Sequence, residues 1–441
     1  MRKHILIIAG IFIVAAIAFW FWLRQPDVAQ LKQEQVMGPR PTIGSPRVQS
    51  FPTIKVADAV GWPQGAAPTP AAGLAVKAFA RNLDHPRWLY RLPNGDVLVA
   101  ETNSPPREGG GIAGMVMGYL MKKGGAGVPS ANRITLLRDA DGDGVAESRT
   151  VLLSGLNSPF GMALMGGYLY IGDTDALVRV PYKEGETRIA AKPETVVKLN
   201  PGGNHWARNV IAAPDGKTLY VTVGSSSNIA ENGLDAERYR ANILQVYPEA
   251  KTFRVFAAGL RNPNGLAIEP KSGELWVTVN ERDMLGSDLV PDYMSQVSLG
   301  DNFGWPWYYW GGYPDKRVDP GNPQLQQYSK RPDYALGAHT ASLGLAFASD
   351  AKLGARFANG AFVGQHGSWN RVPVAGYKVI YVPFGTNGFP AGGAKPVDVL
   401  TGFLNQDGAA RGRPVGVITD KTGALLVADD VGNVIWRVAA K

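Results

Sequence analysis

Basic, amide and carboxylate side chains recur where short apolar segments of this sequence begin or end. In the stretch 259–283, Arg261, Asn262 and Asn264 precede one apolar segment. The next apolar segment ends in Asn280-Glu281-Arg282-Asp283. Alternating apolar residues bounded by Pro and Gly predict a β-hairpin. Both polar groups then lie at one end of the hairpin, so Arg, Asn, Glu and Asp are gathered on one rim.

Such residue types can bind anions and transfer protons. The chain has five histidines, of which His205 and His366 stand at predicted hairpin ends and His339 just before another. A single histidine is more often a structural residue than a catalyst, but histidines that converge with arginines and carboxylates favour a site. An excess of arginine indicates a ligand with several carboxylates. The remaining candidates at the rim are Arg208, Arg371, Arg411 and Arg413.

The hairpin pattern occurs six times along the chain. The units span residues 85–101, 158–173, 205–223, 259–283, 342–366 and 413–430. Recurring strand pairs of this kind are typical of β-propellers, whose innermost strands run along a central channel. We therefore predict an all-β, six-bladed β-propeller in which the hairpin ends converge. A β-sandwich with coincidental hairpins is the alternative.

Composition agrees with an all-β class and excludes several functions. The 441 residues include 54 Gly and 32 Pro, which suits a turn-rich protein. The net charge is +8, but no basic run stands out, so nucleic-acid binding is not expected. Cysteine is absent, which excludes disulfides, thiolate metal sites and covalently attached haem.

The N-terminus carries an apolar run of nineteen residues, from Ile5 to Leu23, which is long enough for a membrane-spanning helix. Arg2 and Lys3 favour a cytoplasmic N-terminus and a translocated remainder. We predict a signal anchor over residues 1–24, a linker over 25–73 and the propeller over 74–441, on the periplasmic face of the inner membrane. A cleaved signal peptide, which would leave the protein in the periplasm, is the alternative.

Three insertions carry further chemistry. Residues 103–130 are apolar and Gly-rich, and they either pack over the propeller or contact a membrane or lipophilic partner. Asp139, Asp141 and Asp143 match the first half of a calcium loop, but Thr150 stands at the twelfth position in place of Glu, so an acidic turn is equally favoured. Residues 300–312 hold an aromatic cluster that either packs on a planar ligand or fills a loop core.

Several motifs resemble the glucose/sorbosone dehydrogenase family, soluble-type quinoproteins that use pyrroloquinoline quinone (PQQ) on a six-bladed propeller. The resemblance covers roughly residues 75–440, and His205-Trp-Ala-Arg208 is closer to the sorbosone-dehydrogenase-like branch. The motifs are Gly-Gly-Asn-His205, Gly259-Leu-Arg-Asn-Pro-Asn-Gly-Leu266, Asn280-Glu-Arg-Asp283, Asn302-Phe-Gly-Trp-Pro306 and Gly412-Arg-Pro-Val-Gly416.

The resemblance implies a role for each matching position. His205 corresponds to the general base, and Arg261 to the residue that polarises the reacting quinone carbonyl. Glu281 and Asp283 replace a Gln-Gly-Pro segment that holds calcium, a Lewis acid on the cofactor, so carboxylate ligation is expected here. The predicted cofactor-binding residues are Arg208, Arg261, Asn262, Asn264, His366, Arg371, Arg411 and Arg413.

The predicted function is therefore PQQ-dependent and calcium-dependent oxidation of a sugar or aldehyde, with a membrane-bound or diffusible quinone or cytochrome as electron acceptor. A metal-dependent lactonase and a non-enzymatic binding propeller are the alternatives, because fold alone does not choose among them. Arginine enrichment favours the quinone, since a lactonase needs carboxylates and amides but few guanidinium groups.

Overall fold

The computed structural model describes residues 10, 14, 15, 26–106 and 111–441. Its strands are β1 (Met37–Gly38), β2 (Thr69–Pro70), β3 (Leu74–Arg81), β4 (Pro86–Arg91), β5 (Val97–Glu101), β6 (Arg133–Arg138), β7 (Ser148–Ser154), β8 (Met162–Met165), β9 (Tyr168–Asp173), β10 (Ala176–Pro181), β11 (Glu194–Lys198), β12 (Val210–Ala212), β13 (Leu219–Val223), β14 (Asn242–Tyr247), β15 (Thr252–Ala258), β16 (Asn262–Ile268), β17 (Leu275–Asn280), β18 (Pro291–Val297), β19 (Tyr308–Tyr309), β20 (Tyr313–Pro314), β21 (Tyr334–Ala338), β22 (Ser342–Phe347), β23 (Gly360–Gln365), β24 (Lys378–Pro383), β25 (Val397–Thr401), β26 (Pro414–Thr419), β27 (Leu425–Asp429) and β28 (Val434–Ala440). Helical segments are α1 (Gly111–Lys123) and 3₁₀ turns at Gln33–Val36, Leu234–Glu237, Pro323–Tyr328, Ala348–Asp350 and Ala355–Phe357.

The strands form six antiparallel blades, so the predicted six-bladed propeller is confirmed. From the first blade to the sixth, they are β4–β7, β8–β11, β12–β15, β16–β18 with β21, β22–β25, and β26–β28 with β3. The sixth blade closes the ring, because β3 pairs with β28 from Leu74 opposite Ala440 to Arg81 opposite Val434.

The core lies between neighbouring blades. Inner strands such as β5 and β27 are buried along their whole length, because a blade has another blade on each face. Trp276 in β17 illustrates the packing: its ring lies edge-on to Phe384, with centroids 5.1 Å apart, between the fourth and fifth blades. This burial explains the apolar hairpin segments of the sequence.

Polar residues gather at one end of the propeller, as the hairpin pattern predicts. The register places Asn262 opposite Asn280, and Pro414 opposite Asp429. We call this end the site end. Because strands alternate in direction, it also carries the connection from the second to the third strand of each blade and the connections between blades. The tight turns between first and second strands lie at the opposite end.

Residues 26–62, which we call the collar, run over loops of the site end and along the outer edge of the fourth blade, where β1 pairs with β21. The sequence predicts a linker for residues 25–73, but the described part is held by backbone hydrogen bonds to propeller loops, such as Ala29 N to Val372 O (2.8 Å) and Lys55 N to Trp369 O (2.8 Å). Arg47 also joins collar and propeller, since it contacts Asp288 at 2.9 Å. Hydrogen bonds to the backbone of the collar need no apolar pattern in its sequence. The Pro- and Gln-rich composition of the collar therefore resembles that of a free linker.

No helix among the described residues is long and apolar enough to cross a membrane. The helix predicted over residues 5–23 lies outside the described residues, except for residues 10, 14 and 15. The insertion 103–130 contains α1, which is part of the connection between β5 and β6 and therefore lies at the site end.

Candidate active site

His205 and Asn262 meet over a glycine at the site end. A Cβ atom at Gly224 would stand 2.5 Å from Asn262 Oδ1 and 2.6 Å from His205 Cβ. Any side chain at this position would therefore separate the two predicted site residues. The third and fourth blades thus bring their rim residues into contact, as the sequence predicts for converging hairpins.

Hydrogen bonding fixes the imidazole of His205. Its Nδ1 lies 2.9 Å from the carbonyl oxygen of Ser225, which can only accept a hydrogen bond, so we assign the proton to Nδ1. Nε2 is then the free, proton-accepting nitrogen of the neutral ring. Burial first, and then the positive charge of Arg261, hold the pKa of His205 well below its usual value. The ring is therefore neutral, as a general base requires.

Two buried arginines hold the loop that carries His205. Arg208 donates to the carbonyl oxygens of Asn200 (3.0 Å) and His205 (2.8 Å), and its side chain is fully buried. Arg240 donates to the His205 carbonyl oxygen at 2.9 Å and to that of Ser225 at 3.1 Å. Burial lowers the pKa of Arg208 to about 9 and that of Arg240 to about 10. The structure thus places Arg208 among backbone carbonyls rather than in the predicted contact with a cofactor.

Arg261 is held rigidly beside His205. Its Nη2 contacts Asp283 Oδ2 at 2.9 Å and Asn228 Oδ1 at 3.0 Å, while Nη1 donates to the Glu281 carbonyl oxygen at 2.7 Å. Asn228 also accepts a hydrogen bond from the backbone N–H of Asp283, at 2.8 Å. The guanidinium is consequently fixed in orientation and partly neutralised.

Asp283 connects the fourth and fifth blades through its carboxylate. Besides Arg261, it accepts a hydrogen bond from Asn370 Nδ2 at 2.7 Å and lies 3.5 Å from His339 Nδ1. Burial alone would raise the pKa of Asp283, but Arg261 and then His339 lower it to about 2. In return, Asp283 outweighs burial and raises the pKa of His339. Asp283 is therefore ionised and serves as an anchor for the cations around it.

The carboxylates of Glu281 and Asp283 do not converge on one point. Glu281 Oε2 contacts Arg282 Nε at 3.1 Å, and both side chains are buried. Arg282 continues to the carbonyl oxygens of Pro306 (2.7 Å) and Tyr308 (2.6 Å). The predicted calcium pair is therefore not formed, because the neighbouring arginine binds Glu281 and ties it to the aromatic insertion.

A second cluster surrounds Asp430, where the fifth, sixth and first blades meet. Arg87 Nη1 lies 2.5 Å from Asp430 Oδ2, His366 Nε2 lies 2.8 Å from it, and His85 Nε2 lies 3.5 Å from it. Burial lowers the pKa of each histidine to about 4. Since both rings are neutral and the carboxylate accepts, His366 donates its Nε2 proton to Asp430.

Arg413 lies next to this cluster and retains an unused donor. Its Nη2 donates to the hydroxyl of Tyr377 at 2.7 Å, and its guanidinium lies 5.0 Å from the centre of that ring. The cluster contains four buried polar atoms without a hydrogen-bond partner in the described structure. They are Arg413 Nε, Arg87 Nε, His85 Nε2 and Asp430 Oδ1. Unpaired buried polar groups are costly, so this region suits a polar ligand.

The other predicted site residues have different surroundings. Asn264 is buried and its Oδ1 has no hydrogen-bond partner in the described structure. Arg371 is buried and donates to the carbonyl oxygens of Ser287 (3.0 Å) and Pro373 (2.5 Å), so its guanidinium holds two loops of the site end together. Arg411 is partly exposed, and within the described chain its side chain makes no hydrogen bond.

The acidic loop lies far along the chain from these clusters. Ligand oxygens of Asp139, Asp141, Asp143 and Glu147 all come within 4.8 Å of one another, and these residues are the only such group of three or more among the described residues. The carboxylates also accept local backbone hydrogen bonds, for example from Gly144 N to Asp139 at 2.9 Å. Both readings of the loop, a calcium site and an acidic turn, stay predictions.

Sequence reasoning missed several members of the site. Arg87 and Asp430 lie within two residues of the paired hairpin ends Pro86–Glu101 and Pro414–Asp429, so the repeat could have identified them. Asn228 and Arg240 lie in the connection from β13 to β14, which no repeat marks. Trp206 lines a depression of about 430 Å³ beside the His205 loop, together with residues that include Ser104, Asn157, Thr174 and Asn204.

Fold and geometry together define a six-bladed propeller with two clusters of buried arginines, histidines and carboxylates at one end. The chain belongs to the TrAA12-like family, whose model matches residues 68–296 and 317–441. The predicted family resemblance is confirmed at this level, and the sorbosone branch stays a prediction. The whole collar and residues 297–316, which include the aromatic cluster, fall outside the matched residues.

Relatives and solved structures agree with this assignment. A protein of Borreliella burgdorferi described as uncharacterized is 29% identical over 295 residues, which cover 64% of this chain and 76% of the relative. The calcium structure of Trichoderma reesei Carbohydrate-Active Enzymes Family AA12 is 18% identical, with a TM-score of 0.69 over 88% of this chain and 99% of that one. The holo form of the pyranose dehydrogenase PQQ domain from Coprinopsis cinerea is 20% identical, with a TM-score of 0.67 over 87% and 100%. At these identities the structures show a shared fold.

Proposed function

We propose that this protein is a PQQ-dependent dehydrogenase that oxidises a sugar or aldehyde. The observation that carries the proposal is the arrangement of His205, whose free Nε2 lies near a fixed Arg261 at the end of an arginine-rich propeller. The solved relatives with a PQQ domain support the same chemistry. A sorbosone-type substrate is the narrower form of the proposal.

The residues of the site fit a planar ligand with several carboxylates. Arg413 and Arg87 have buried Nε–H donors without partners, and Arg411 is partly exposed nearby in sequence. Guanidinium groups bind carboxylates by charge-assisted hydrogen bonds, so these three arginines would hold the acidic groups of PQQ. PQQ supplies an acceptor for the hydride that leaves the substrate carbon.

The chain itself provides the proton acceptor and its support. His205 Nε2 would take the proton of the substrate hydroxyl, while Nδ1 stays bonded to the Ser225 carbonyl oxygen at 2.9 Å. The low pKa of His205 keeps the ring ready to accept a proton and makes the imidazolium release it again. Arg261, fixed by Asp283, supplies positive charge beside this transfer.

We assign no step to calcium, because the carboxylates of Glu281 and Asp283 are each bound by an arginine. The acidic loop 139–147 is where we propose any bound calcium. For electron transfer, we propose a quinone or cytochrome acceptor, with the apolar N-terminal run holding the propeller at the periplasmic face of the membrane. No observation favours the lactonase or the binding propeller over the dehydrogenase.

Reconstitution tests the proposal directly. Purified protein would be incubated with PQQ, with and without Ca²⁺, and assayed with aldoses, aldehydes and alcohols using an artificial dye as electron acceptor. We expect dye reduction that depends on both PQQ and substrate. Absence of reduction with every substrate, together with hydrolysis of lactones, would instead support a lactonase.

A further inference from the structure

Large apolar side chains are exposed on the collar, on α1 and on the loop after α1. In α1, Met115 is 70% exposed and Tyr119 is 67% exposed. The exposed apolar residues of the collar, α1 and the loop after α1 include Val28, Val48, Ile54, Val60, Met115, Val116, Met117, Tyr119 and Val128. Isolated exposed apolar residues are ordinary, but a concentration of them on one surface indicates an interaction site.

These segments form one surface around the site. The connection that contains α1 and the loops under the collar all run from the second to the third strand of a blade, which places them at the same end. Collar and helix are joined directly, because Ala59 N donates to the Lys123 carbonyl oxygen at 2.9 Å and Lys123 Nζ lies 3.1 Å from Asp58. The apolar surface therefore lies on the end that carries His205.

The helix has the composition of a segment that lies in a membrane interface. It contains no acidic residue, and Lys122 and Lys123 stand in its last turn. Its 13 residues extend about 20 Å, too short to cross a hydrocarbon core of about 30 Å. Exposed apolar side chains with adjacent lysines suit the boundary between acyl chains and anionic headgroups.

The chain before the collar identifies the occupant of this surface. Val28 is fixed to the propeller by a β-bridge with Val372. The nineteen-residue apolar run ends at Leu23. A chain spans at most about 3.6 Å per residue, so Val28 lies within about 18 Å of that run. If the run enters a bilayer, the site end must lie close to the same bilayer.

We propose that the site end docks on an anionic lipid bilayer, with the exposed side chains of α1 and the collar in the interfacial layer. This inference rests on the membrane attachment suggested under the proposed function, and it narrows the electron acceptor to one that reaches the site from the lipid. The propeller then stands with its opposite end toward water.

Absence of cysteine allows a direct test with the full chain. Tyr119→Cys and Ser272→Cys each create one labelling position; Ser272 is exposed in a turn at the opposite end. Each variant would carry a polarity-sensitive fluorophore and be mixed with phosphatidylcholine–phosphatidylglycerol vesicles that contain a lipid-borne quencher. We expect a blue shift and quenching at position 119 and neither at 272. Equal exposure of both labels to aqueous iodide, whether or not the chain binds the vesicles, would overturn the proposal.

A charge variant tests the anionic component. Lys122→Glu, in the Tyr119→Cys background, should reduce quenching on vesicles with phosphatidylglycerol and leave it little changed on pure phosphatidylcholine. If quenching changes neither with the lipid composition nor with this substitution, the proposal that the bilayer must be anionic is wrong. These readouts need neither PQQ nor substrate, so their failure is distinct from failure of the proposed dehydrogenase.

Discussion

His205 and Arg240 bind the same carbonyl oxygen, that of Ser225, at 2.9 and 3.1 Å. The imidazole donates from Nδ1 and the guanidinium from Nη2, so one oxygen defines both the tautomer of the ring and the position of its loop. Arg240 therefore acts on the proposed chemistry through His205, without facing the depression itself.

Arg240→Met tests this positioning role. The change removes the Arg240 donor from the carbonyl oxygens of His205 and Ser225, which keep only one side-chain donor each, and we expect a loss of about 1–3 kcal/mol in the free energy of unfolding. A displaced base should lower kcat about tenfold to a hundredfold while PQQ affinity stays similar. Denaturation, cofactor titration and steady-state kinetics measure the three quantities. Arg238→Met, at an exposed arginine nearby, is the control. Normal kcat in Arg240→Met would contradict the role.

His205→Gln tests the proposed base. Glutamine keeps a polar side chain of similar reach but cannot accept the proton, so kcat should fall by about 10²–10⁴ while PQQ still binds. The acid limb of the pH–rate profile should also disappear, because it reports protonation of the base. Lys217→Gln, in an exposed turn at the opposite end of the same blade, should leave kcat unchanged. If His205→Gln retains normal kcat, the role belongs to another histidine, such as His339 or His366.

Arg261→Ala and Arg413→Ala test the binding of the cofactor. Each variant removes a cation from the proposed site, and charged hydrogen bonds are worth about 1.5–3 kcal/mol. PQQ affinity should therefore fall on the order of tenfold to a hundredfold, measured by titration of apo-protein. Arg331→Ala, at an exposed arginine, is the control. Wild-type affinity in both site variants would show that the cofactor lies elsewhere.

Asp173 predicts a pH dependence of stability. Burial raises its pKa to about 7, and its Oδ1 has no partner in the described structure. An unfolded aspartate titrates near 4, so between about pH 4 and 7 the folded state binds the extra proton and stability falls as pH rises, by about 1.4 kcal/mol per pH unit. Asp173→Asn should abolish this fall and raise Tm at pH 7 relative to wild type, but not at pH 4. Asp407→Asn, at an exposed loop, is the control; identical pH profiles for Asp173→Asn and wild type would contradict the prediction.

The apolar N-terminal run predicts membrane attachment. Fractionation should place the full chain in the membrane pellet. After removal of residues 1–24, a salt wash should release the propeller from the membrane, because α1 is short and binds lipid only reversibly. Mature protein that begins at Phe19 and is recovered from the soluble periplasm would support a cleaved signal peptide instead.

The sequence predicts the rim well because strand pairing has a simple period. Once a hairpin is identified, counting back from its turn places Asn262 within one residue of Asn280, which it faces after a register shift between Pro263 and Leu266. The contacts of long side chains are not predicted in this way. Arg208 and Arg371 both stand near the rim, but each guanidinium binds backbone oxygens of loops whose positions depend on the folded structure.

Two further differences between the prediction from sequence and the structure have local causes. Glu281 looks like a metal ligand by its position, but Arg282 beside it provides a nearer cation and removes it from the site. The collar looks like a linker because backbone hydrogen bonds and a few separate side chains, such as Met37, Arg47 and Trp62, attach it, and these leave no apolar periodicity in the sequence. In both cases the contact that determines the position of the segment cannot be predicted from composition or spacing.

Pairing of β3 with β28 also determines when, during synthesis, the ring of blades can close. Residues 74–81 leave the ribosome well before their strand partner, residues 434–440. Until then, the edges of the first and last strands are unpaired, and such edges favour aggregation. Truncation near the C-terminus, even outside every predicted contact with the cofactor, should therefore leave an open ring that cells degrade or that accumulates as insoluble protein.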